Sequence, residues 1–125
     1  MSQDLHNNYI NGEWVGSSQV IENINPSDTS DIVGRYAKAS NKDCLAAIGA
    51  ANAAFDGWSQ SALEQRKTIL DFIGAELIAR SGEIGEILAR EEGKTRAEGV
   101  GEVYRSGQFF QYYGAEVLRL MGENT

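Results

Sequence analysis

TRAEGVGEVYRSGQFFQYYGAEVLRLMG, residues 95–122, is the stretch that decides how this chain is to be read. Thr95-Arg96-Ala97-Glu98 has the form of a capping box, in which a hydroxyl and a carboxylate satisfy the free amides at a helix start. The helix it opens is expected to run through Val100, Val103, Phe110 and Val117 and to end near Gly122. Its apolar and aromatic residues are not confined to one stripe: Val100, Val103, Tyr104, Phe109, Phe110, Tyr112, Tyr113, Val117, Leu118 and Leu120 occupy much of its circumference. A helix of that kind needs contacts on more than one side. The segments before it must therefore be asked whether they can supply them.

They supply too little. Residues 9–38 read as short strands. Tyr9-Ile10 and Glu13-Trp14-Val15 flank Asn11-Gly12, the signal of a two-residue type I′ hairpin. Val20-Ile21-Glu22-Asn23-Ile24 is half apolar and β-branched, Asn25-Pro26-Ser27-Asp28-Thr29 carries turn chemistry, and residues 31–38 resume an extended pattern. After residue 40 the period becomes helical. Ser40-Asn41-Lys42-Asp43 resembles a capping box and opens a face of Leu45, Ile48 and Phe55 that ends at Gly57. Ser61-Ala62-Leu63-Glu64 is expected to box a second helix bearing Ile69, Ile73 and Leu77. Ser81 is expected to cap a third, carrying Ile84, Ile87 and Leu88 and stopping near Gly93. The fold class is α+β, strands first and then four helices. Short strands cannot form a broad sheet to receive the last helix, so part of its partner is missing or comes from another chain.

The chain has 125 residues, 42% apolar and 23% charged, which is enough for one domain with a core. With 11 basic and 18 acidic residues it carries −7, and an acidic surface disfavours nucleic acid. No apolar run reaches the roughly 18–20 residues of a membrane span, and Met1 to His6 lacks the regions of a signal peptide. One cysteine excludes an internal disulfide framework and fits a reducing compartment, so a cytoplasmic protein is expected. One cysteine and one histidine cannot assemble a usual zinc site.

The short motifs each fall to a plainer reading. Gly93-Lys94-Thr95 looks like the end of a phosphate loop, but Leu88 stands where its first glycine belongs and Glu91 and Glu92 would repel phosphate. A helix stop followed by a threonine cap explains the same residues. Gly99-Val100-Gly101 begins a dinucleotide fingerprint, yet Tyr104 replaces the third glycine and no strand precedes it. Cys44, in the first turn of a helix, has only His6 as a candidate base, and that residue lies in the N-terminal tail; a small apolar role is favoured. Asn25-Pro26-Ser27 is no glycosylation acceptor, having proline at its centre. The pairs Glu91/Glu92 and Glu98/Glu102 read as solvated faces. Arg105, in the middle of the aromatic helix, could meet a carboxylate or reach outward.

Taken together, Tyr9 to Val15, Asn25-Pro26, Ala54-Phe55 with Trp58, the segment Glu91 to Lys94, and Tyr112-Tyr113-Gly114-Ala115-Glu116 resemble, in order and spacing, the opening of the NAD(P)-dependent aldehyde dehydrogenase superfamily. The resemblance covers residues 8–124. It implies the N-terminal part of that fold, with the Rossmann-like sheet and catalytic domain missing: residues 1–8 a mobile tail, residues 9–125 an incomplete cofactor-binding domain. Family members are several times longer. Their catalytic cysteine, glutamate base, oxyanion-stabilising asparagine and nicotinamide-binding strands would all follow Thr125, so no catalytic or cofactor-binding residue is assigned here, and Cys44 does not match the nucleophile.

The resemblance further implies a monovalent cation held by the main-chain carbonyls of Asn23 and Ile24 and the carboxylate of Glu91, oxygen ligands suited to a hard cation. It places Arg105 near the substrate entrance, where a guanidinium could grip an acidic semialdehyde such as 2-oxoglutarate semialdehyde. The parent enzyme is expected to oxidise an aldehyde to a carboxylic acid with NAD or NADP, as a homo-oligomer (dimer or tetramer), with neither nucleic acid nor membrane as partner. The fragment by itself is expected to lack catalysis and to need the remainder of the fold. The alternative is a stand-alone helical interaction module whose exposed aromatic face docks a partner.

Overall fold

Asn11 and Gly12 both adopt positive φ, 52° and 82°, as a type I′ turn requires. They join β2 (Asn8–Ile10) to β3 (Glu13–Val15) in an antiparallel hairpin with Tyr9 opposite Trp14. The computed structural model describes residues 5–119, which divide into two compact units meeting between Gln60 and Ser61. In the first unit, β4 (Val20–Ile24) pairs antiparallel with β5 (Ile32–Ala37), and β1 (Leu5–His6) pairs parallel with the other edge of β5. β1 lies within the expected N-terminal tail: Leu5 stands opposite Arg35, and His6 opposite Tyr36. A two-residue strand has no period of its own to reveal it. Beyond β5, α1 (Asn41–Ser59) packs against β2.

The second unit is helical: α2 (Leu63–Ala79), α3 (Ser81–Glu92) and α4 (Arg96–Glu116), the last tightening into a 3₁₀ turn at Val117–Arg119. Glycines bring these helices close. A Cβ on Gly74 or Gly107 would fall 2.7 Å from the other's carbonyl oxygen, and one on Gly85 would fall 2.5 Å from the Val100 Cα. At these glycines the α2–α4 and α3–α4 contacts bring backbone against backbone, and an exposed Arg96–Glu86 ion pair at 2.7 Å also links α3 to α4.

Helix starts are where the structure corrects the expectations. The boxes at Ser40 and Thr95 form with both reciprocal bonds. The box at Ser61 does not form: Ala62 is the N-cap, without a side-chain bond, while the Ser61 hydroxyl accepts from Arg66 Nε at 2.9 Å. Ser81 is the first residue of α3, and Arg80 stands at the cap, paired with Glu83. α1 passes through Gly57 and stops at Ser59, since no close neighbour or positive φ acts at that glycine. Gly93 ends α3 at φ 71°, as a left-handed glycine should. The expected helix end at Gly122 lies outside the described residues; α4 itself closes at Glu116.

Little large apolar surface is covered. Among the described residues, the buried apolar ones are Ala37, Ala89 and Val103, and no large side chain is fully buried. Trp14, Leu45, Phe72 and Phe55 are 70%, 69%, 66% and 64% exposed. No helix among the described residues is long and apolar enough to cross a membrane.

Candidate functional site

Gly99, Val103, Gly107 and Gly114 are the buried positions of α4. Arg105, Phe109 and Tyr112 recur at i, i+4 and i+7 on the opposite face, and all three are exposed. Arg105 is thus exposed on the face that also carries Phe109 and Tyr112. Tyr112 meets Tyr113 edge to face, with ring centroids 5.3 Å apart. Those two rings, with Leu70, Glu116 and Val117, line an open hollow of about 410 Å³ beside α2. The sequence marked Tyr112 and Tyr113 only as apolar and as part of a motif. Leu70, 42 positions before Tyr112, carries no signal that would join it to them.

Asn23 and Ile24 sit together on β4, where the ladder slips: Asn23 pairs with Gly34 but Ile24 pairs with Ile32, so Val33 is an extra residue on β5. A bulge disrupts the ladder locally and re-aims main-chain groups. The chain just beyond is tied down. The Asn25 amide donates to the Asp31 carbonyl at 3.0 Å, and Asn25 Oδ1 accepts from the Ser27 amide at 2.9 Å. Glu91 lies in the second unit, exposed in the last turn of α3.

Neighbouring carboxylates have structural work. Lys94, only 17% exposed, pairs with Glu92 and donates to Glu102 Oε1 at 2.7 Å. These bonds, that to Glu102 foremost, raise its pKa. Its ammonium is thereby committed to carboxylates, consistent with a helix connection in place of a phosphate loop. The carboxylate of Glu98 is held below its ordinary pKa by the Thr95 hydroxyl and amide. Two of the four acidic residues expected on solvated faces, Glu98 and Glu102, therefore fix the start of α4. Gly99 of the failed dinucleotide fingerprint lies against Gly85 inside the helix pair. Cys44 is exposed in the first turn of α1, and His6 stacks on Tyr36 with centroids 5.0 Å apart.

The profile of the aldehyde dehydrogenase family matches residues 14–125. Alpha-ketoglutarate semialdehyde dehydrogenase of Haloferax volcanii is 40% identical over 95% of the chain and 25% of its own length. 1-Pyrroline-5-carboxylate dehydrogenase 2 of Bacillus subtilis is 34% identical over 89% of the chain and 22% of its own length. A solved variant of Thermus thermophilus 1-pyrroline-5-carboxylate dehydrogenase superposes with a TM-score of 0.91 and 32% identity, covering 98% of this chain and 24% of that one. The chain spans about a quarter of the length of the curated relatives it matches.

Proposed function

The chain belongs to the aldehyde dehydrogenase family, and from that premise we propose that it is the N-terminal quarter of a cytoplasmic enzyme that oxidises an aldehyde to a carboxylic acid. NAD(P)⁺ accepts the hydride in such a reaction. No residue of this chain is assigned to the nucleophile, the base or the cofactor. Residues 9–125 contribute packing to the cofactor-binding domain and part of the substrate entrance, and the complete protein is a homo-oligomer. The observation that carries this reading is the outward face of α4: Phe109, Tyr112 and Tyr113 remain exposed in a chain about a quarter as long as its relatives. An interaction module could expose the same face, but the family match runs from residue 14 to the last residue. The isolated chain should reduce no NAD(P)⁺ with any aldehyde, and turnover by the chain alone would overturn the reading.

The substrate is an acidic aldehyde gripped at its distal carboxylate by Arg105. Its support is the exposed guanidinium on the face bearing Phe109 and Tyr112, and the acid-bearing compounds in the names of the relatives. In the complete enzyme, Arg105→Ala should raise KM for an acidic aldehyde on the order of tenfold, the loss of one charge-assisted hydrogen bond. It should leave a neutral aldehyde nearly unchanged, and equal effects on both would exclude the role.

A further inference from the structure

We draw no further inference here: the strongest candidate, the apolar hollow beside α2 and α4 lined by Leu70, Tyr112, Tyr113 and Val117, is an unpartnered face, and nothing in the structure shows what covers it.

Discussion

Two glycines of α4 separate the effect of space from the effect of backbone freedom. A Cβ on Gly99 would collide with the carbonyl of Gly85 and crowd Ala89, whereas one on Gly101 would meet nothing within 4 Å. Gly99→Ala should therefore destabilise the complete enzyme by about 1–3 kcal/mol through overpacking. Gly101→Ala should stabilise it by about 0.5–1 kcal/mol, because alanine loses less backbone entropy in a helix. Unfolding midpoints of the two variants check this, and shifts of the same sign would refute the packing described. Both glycines read alike in the sequence. What distinguishes them is the partner helix, and the approach of Gly85 to Gly99 joins positions 14 apart that carry no side chains by which to predict contact. Arg105 is a different case: its sequence context left a carboxylate contact and an outward reach both open, and its exposure beside Phe109 and Tyr112 follows from the burial of the other face of α4 at Gly99, Val103, Gly107 and Gly114.

At the scale of the helix, local chemistry was readable where both halves of a cap are polar, and unreadable where a competitor exists. Thr95 and Glu98 exchange bonds, as do Ser40 and Asp43. Ser61 has the same pattern but is engaged by Arg66, five positions on, so the helix begins later without it. Thr95→Ala should accordingly cost about 1 kcal/mol, while Ser61→Ala should stay within about 0.5 kcal/mol. Equal losses would contradict the cap assignment. The caps also set an acid dependence. The Ser40 amide and hydroxyl hold the Asp43 carboxyl below its ordinary pKa, and the Thr95 hydroxyl and amide do the same for Glu98. A group with a depressed folded pKa stabilises fully above its unfolded pKa, and that contribution fades as pH falls through the folded value. Faster amide exchange in the first turns of α1 and α4 should appear as pH drops through the carboxylate range, after correction for intrinsic rates. Asp43→Asn and Glu98→Gln should flatten that dependence, and a dependence unchanged in both would exclude the carboxylates as its source.

For the molecule as a whole, composition and structure point in different directions until the length of the relatives is considered. An apolar content of 42% suffices for a core, yet the buried apolar residues among those described are two alanines and a valine. The strand-then-helix order and the hairpin at Asn11-Gly12 were legible because short-range chemistry determines them. Which faces are covered was not legible, since that depends on partners far away in sequence; the crowded circumference of α4 indicated only that partners are needed. Aromatic faces on α1, α2 and α4 are exposed in a chain about a quarter as long as the relatives it matches, and on the proposed reading they are contact surfaces for the rest of a longer fold. Urea unfolding of the isolated 125-residue chain, followed by circular dichroism, tests this most directly. A broad loss of helix without a cooperative transition is expected. A sharp two-state transition, with a slope appropriate to a domain of this length, would contradict it and establish a self-sufficient module.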